Sequence, residues 1–129
     1  MTGIRKKSSA KVQWLDKAEE HNYPAAQSYL SLVFADTAAE EYVRKLRQAK
    51  VSFYKAKDIF RASGLSLLGI SNTHVKRDQQ KIQAGERLSP ILLVKDLPNR
   101  KVIVADGYHR LCAVYTFDED AIIPCKIVG

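Results

Sequence analysis

The chain has 129 residues, 46% hydrophobic and 27% charged, a globular composition that excludes a wholly disordered chain. Its 21 Lys and Arg against 14 Asp and Glu give +7, spread along the length, so anionic partners are favoured without any purely basic domain. Apolar runs such as Ile91-Leu92-Leu93-Val94 fall far short of the roughly 18 residues of a membrane span, and two cysteines, Cys112 and Cys125, are too few for a disulfide scaffold.

The start is basic (Arg5-Lys6-Lys7), but no continuous apolar stretch follows, so no signal peptide is read. Residues 1–10 are expected to form a disordered tail, and the length fits one domain. The expectation is a reduced, cytoplasmic protein with no membrane partner.

The first half reads helical. Val12, Leu15 and Ala18 are spaced for one helix face. Asn22-Tyr23-Pro24 is a break and restart, with Pro24 suited to a first turn. Ala26, Tyr29, Leu30 and Val33 form a helix stripe. Thr37 and Glu40 make a capping-box pattern ahead of Ala39, Tyr42, Val43 and Leu46. Ala56, Ile59, Phe60 and Ser63 make a short stripe stopped by Gly64, with Lys55, Lys57 and Arg61 on the opposite face.

The second half changes character. Asn72 or Thr73 can cap a helix running to about Ala84, with Gly85 as its stop. After Pro90, Ile91–Val94 reads as a buried strand, Asp96-Leu97-Pro98-Asn99 as a turn, and Val102–Ala105 as the returning strand of a hairpin. Asp106-Gly107 ends that strand, Tyr108 to about Thr116 is a helix, and Asp118-Glu119-Asp120 is a solvated loop. Ile122–Val128 closes the chain as a strand, with Pro124 arguing against a central place in the sheet. The order predicts an α+β fold.

The corner Asp106-Gly107-Tyr108-His109-Arg110 carries the chemistry. A helix start offers unpaired N–H groups and the positive end of the helix dipole. Glycine permits close approach of an anion, and arginine can grip phosphate oxygens with two parallel bonds. His109 can donate a further hydrogen bond. On the preceding helix His74, Arg77 and Lys81 fall at i, i+3, i+7 and form one cationic face. By spacing alone both features stay open: many strand–glycine–helix corners are merely turns, and many basic helix faces are merely solvated.

This layout resembles the ParB/sulfiredoxin superfamily over roughly residues 72–129: a basic helix, the Leu88-Ser89-Pro90-Ile91 strand, a hairpin, Asp106-Gly107-Tyr108-His109-Arg110, a helix, and the Ile123-Pro124 strand. The resemblance implies a ParB/sulfiredoxin-like core there, with residues 11–71 as a helical addition. It implies that Gly107, Tyr108, His109 and Arg110 bind the phosphates of ATP or CTP, with magnesium as a companion ion, and that His74, Arg77 and Lys81 add nucleotide contacts. Phosphoryl transfer or hydrolysis would use Asp106 as base or metal ligand, with Glu86 as a weaker candidate. Asp106 also reads as a simple turn former.

Two departures narrow the expectation. Tyr108 stands where sulfiredoxin has its catalytic cysteine, which argues against a sulfinic acid reductase. The helix-turn-helix that follows the ParB core is not part of this sequence, which argues against a partition clamp. The alternative to a nucleotide site is a DNA-binding or regulatory module using the basic helices 55–63 and 73–84, or a ParB-like nuclease. A homo-oligomer is a further expectation. Cys112 and Cys125 read as small buried residues, and no histidine has metal-ligand spacing with them, so no zinc is expected.

Overall fold

The computed structural model describes residues 11–129, so the Arg5-Lys6-Lys7 tail lies outside the described residues. The elements in chain order are β1 Gln13–Trp14, α1 Asn22–Val33, α2 Asp36–Gln48, β2 Val51–Lys55, α3 Ala56–Ser63, α4 Thr73–Gln83, β3 Arg87–Leu88, β4 Ile91–Asp96, β5 Lys101–Asp106, α5 Tyr108–Phe117 and β6 Ile122–Val128. The α+β class is observed. Among the described residues no helix is long and apolar enough to cross a membrane.

Four strands form one mixed sheet in the order β2-β6-β4-β5, with β4 and β6 parallel and both outer pairs antiparallel. Helices cover both faces. On one side Leu92, Val94, Ile103 and Ala105 pack against Ala26 and Leu30 of α1 and Ala39, Val43 and Leu46 of α2. On the other, Ile91, Leu93, Val104, Ile123 and Cys125 meet Ile59 of α3, Val75 and Ile82 of α4, and Leu111 and Val114 of α5. This explains the unbroken apolar run of β4. Alternate residues point to opposite faces, and here both faces are dry. Ile91, Leu92, Leu93 and Val94 are each 1% exposed or less, and burying each such side chain contributes about 1.5–3 kcal/mol.

Several expectations are corrected. The segment 11–71, read as a helical addition, contains two strands as well as three helices. Val12, Leu15 and Ala18 do not build a helix. Gln13 and Trp14 instead pair in parallel with Arg87 and Leu88, and the Leu15 amide donates to the Leu88 carbonyl at 2.8 Å. Three small apolar residues without a cap are outweighed by a backbone partner more than seventy positions away. Thr37 does not cap α2, which begins one residue earlier with Ala35 at its N-cap and no side-chain cap.

The unforeseen strand is β2. Its sequence, Val51-Ser-Phe-Tyr-Lys55, lies on the sheet edge with Phe53 and Tyr54 exposed, so it lacks the buried alternation that marks a strand. It pairs with β6 from Val51↔Lys126 to Lys55↔Ile122, and this makes β6 a central strand despite Pro124. Pro124 is tolerated because it stands at the end of one ladder. Pairing with β4 begins only at Ile91↔Cys125, one residue beyond the proline.

The remaining helices form as their caps suggest. Asn72 caps α4, its Oδ1 accepting from the amides of His74 at 2.9 Å and Val75 at 3.3 Å. Gly64 closes α3 in the left-handed conformation, φ 67°.

Candidate functional site

The corner forms where β5 hands over to α5. Gly107 sits at the N-cap with φ 111° and ψ 17°, and no side chain caps the helix. The first i to i−4 bond of α5 runs from the Leu111 amide to the Gly107 carbonyl, 2.9 Å. The amides of Tyr108, His109 and Arg110 therefore have no partner further up the helix.

Glycine is required here for a reason other than ligand approach. A Cβ at residue 107 would lie 2.9 Å from Arg110 Nη2 and 3.0 Å from Ile91 Cγ1. The space over Gly107 is filled by the folded-back guanidinium. Arg110 Nη2 donates to Asp106 Oδ2 at 3.1 Å, to the Pro90 carbonyl at 3.3 Å and to Asn22 Oδ1 at 3.4 Å. Both members of the ion pair are largely buried, with 16% of the arginine and 19% of the aspartate side chain exposed. Arg110 Nε is buried without a partner. In this geometry Arg110 is a brace facing inward, and Asp106 is its counter-ion rather than a free base.

The brace reaches a polar network absent from the sequence expectations. Asn22 and Ser89 are both 2% exposed. Ser89 Oγ donates to Asn22 Oδ1 at 2.6 Å and accepts from the Glu19 amide at 3.0 Å. Two polar residues buried this deeply need partners, and they find them in each other and in Arg110. The network ties the head of α1 and the entry to β4 to the first turn of α5. Its one sequence signal is a serine and an asparagine each two residues or fewer from a proline; their mutual approach is tertiary.

The outward side of the corner is made by histidines. The His74 and His109 rings stack with centroids 4.8 Å apart and planes inclined by 35°. Tyr108 also neighbours His109, at 5.7 Å between centroids, and its hydroxyl donates to the Ser66 carbonyl in the loop before α4. Burial, followed by the neighbouring His74, holds His109 below the usual imidazole range; Arg110 acts in the same direction, while Asp78 and Asp106 oppose it.

Asp78 is a residue of this mouth that the sequence did not single out. It lies four positions after His74 on α4, a spacing that puts both on one side of the helix. Burial raises its carboxyl above the ordinary range, against the opposing pull of Arg110, Lys81, His109 and Arg77. The expected cationic face is thus present with a carboxylate set into it. Arg77 is exposed and Lys81 half-buried, and neither makes an ion pair among the described residues. Glu86 is exposed on the turn after α4, and among the described residues its side chain makes no hydrogen bond or ion pair to the corner. Of the predicted set, the structure brings together Asp106, Gly107, Tyr108, His109, Arg110 and His74, and leaves Glu86 outside this group.

The second basic helix is neutralised in part. Lys57 Nζ lies 2.7 Å from Asp120 Oδ1, Lys55 Nζ is 3.9 Å from the same oxygen, and Arg61 pairs with Asp58 at 3.7 Å. The Asp118-Glu119-Asp120 loop thereby anchors the head of α3, whose Ala56 and Lys57 amides donate to the carbonyls of Ala121 and Glu119. Cys112 and Cys125 are free thiols in the core.

Asp106 is committed to Arg110, and among the described residues no three His, Cys, Asp or Glu side chains group for a metal. The chain matches no protein-family model, no curated protein and no solved structure.

Proposed function

We propose that this protein binds a nucleotide through its phosphates at the mouth between the first turn of α5 and the His74 face of α4. The carrying observation is the His74–His109 stack beside a helix start whose amides no side chain caps. Uncapped amides and the helix dipole attract an anion, and two imidazoles add donors that can be charged or neutral. Arg77 and Lys81 extend positive charge along α4. The resemblance of residues 72–129 to the ParB/sulfiredoxin superfamily supports the same ligand class, ATP or CTP. Magnesium would arrive with the phosphates rather than on protein carboxylates. Arg110 supports the mouth by bracing it from behind.

Binding, rather than turnover, is the function proposed, because the candidate base Asp106 is occupied. The DNA-binding alternative has less support. Lys57 and Arg61 of α3 are paired with acidic neighbours, which leaves α4 as the freer basic helix.

Calorimetry with ATP, CTP and GTP, with and without magnesium, tests the proposal. At least one nucleotide should bind, and His109→Ala should weaken it about tenfold, the size expected for loss of a charge-assisted hydrogen bond. Absence of binding to all three removes the proposal.

A further inference from the structure

We propose that the stacked His74–His109 pair makes anion binding at this mouth proton-linked, so that the phosphate group enters together with one proton taken from solvent onto the pair. This rests on the phosphate-binding reading above. The geometry is that of two basic rings 4.8 Å apart, His74 exposed and His109 partly buried, close enough for two like charges to repel each other.

The surroundings add to the repulsion. From α5 itself Arg110 presents a fixed positive charge, and Tyr108 presents a hydroxyl turned away to Ser66. From α4 come Arg77 and Lys81, opposed by Asp78. From β5 comes Asp106, already bonded to Arg110. The loop 64–72 has no charged residue, and neither has α1, whose Asn22 meets Arg110 just after the exposed Glu19. β4 and the residue before it contribute the uncharged Ile91 and Pro90. α3 packs on the later turns of α5, through Phe60 on Tyr115, and its Lys57 and Arg61 are paired elsewhere.

Without a ligand, then, the two rings resist being charged together, and burial favours the neutral form of His109. A phosphate set against the start of α5 reverses the balance. Its negative charge stabilises a proton on one of the two rings, and that imidazolium then donates to a phosphate oxygen. Affinity should rise on acidification through the histidine range, by about tenfold for each unit that the bound ring's pKa is raised.

The test is proton NMR titration of the histidine ring signals of the full chain, free and saturated with ATP, assigned with His74→Gln and His109→Gln. In the complex one of the two rings should titrate about one pH unit higher than in the free protein. Calorimetry should show affinity falling about tenfold from pH 6 to pH 8 beyond the ionisation of ATP itself, and His74→Gln should flatten that slope. The wild-type titrations decide the matter even if a variant does not fold. If ATP shifts the amide signals of Gly107–Arg110 while neither ring changes its titration, proton linkage is overturned and binding stands. If no amide there responds to ATP, CTP or GTP, the binding reading falls and the linkage with it.

Discussion

Arg110 reaches back one helical turn to Asp106, Nη2 to Oδ2 at 3.1 Å, across the open backbone of Gly107. The pair locks the last residue of β5 to the first turn of α5. Because the same nitrogen also meets Pro90 and Asn22, the lock extends to β4 and α1.

Arg110→Ala should therefore act on stability. A hydrogen bond to a charged group is worth roughly 1.5–3 kcal/mol, and the loss also leaves Asp106 and Asn22 short of a donor. Urea denaturation should show a loss of that size. Arg110→Lys should recover only part of it, because the ammonium rides on a flexible stem and lacks the rigid planar group that holds Nη2 among its acceptors. Wild-type stability in Arg110→Ala would show that the brace carries no strength.

Gly107→Ala tests the same corner from the backbone. It places a side chain at φ 111° and pushes its methyl against Ile91 and the guanidinium. The expected cost is roughly 1–3 kcal/mol from the backbone conformation alone. A midpoint unchanged in denaturant would contradict the packing described here.

Stability should also depend on pH through His109. Its folded-state pKa lies below the ordinary value, because burial and His74 disfavour the charged ring. The unfolded chain therefore binds the proton more readily. The stabilising contribution is complete above the unfolded value, near 6.5, and is lost as pH falls through the lower folded value. Melting temperatures measured from pH 7.5 down to 5 should fall more steeply for wild type than for His109→Gln.

The two thiols give a probe of core integrity. Burial pushes Cys125 up to about 12 and raises Cys112 as well, so neither offers a thiolate at neutral pH. A thiol reagent at pH 8 should leave the native protein unmodified and label two cysteines after denaturation. Rapid native labelling of either one would mean that the α5 side of the core opens readily.

Much of the second half was legible in the residues themselves. Asn72 before a helix, Asp96-Leu97-Pro98-Asn99 between two apolar runs, and glycine between Asp106 and Tyr108 are local signals, and the structure follows each. The candidate site was legible as a set of residue types close together in sequence. Its orientation was not. Arg110 turns inward because Asp106, Pro90 and Asn22 converge on it from three elements. Asp78 joins the mouth because α4 lies against α5 with that side facing in.

Local chemistry alone determined the helix caps, the hairpin, the strand–glycine–helix corner and the α+β class, since each depends on neighbours within a few residues. Tertiary structure decided that Val51–Lys55 is an edge strand, that Pro124 lies in a central one, and that the corner's guanidinium faces the core. Those outcomes rest on partners far apart in the chain, and their free energy exists only once the sheet has brought them together.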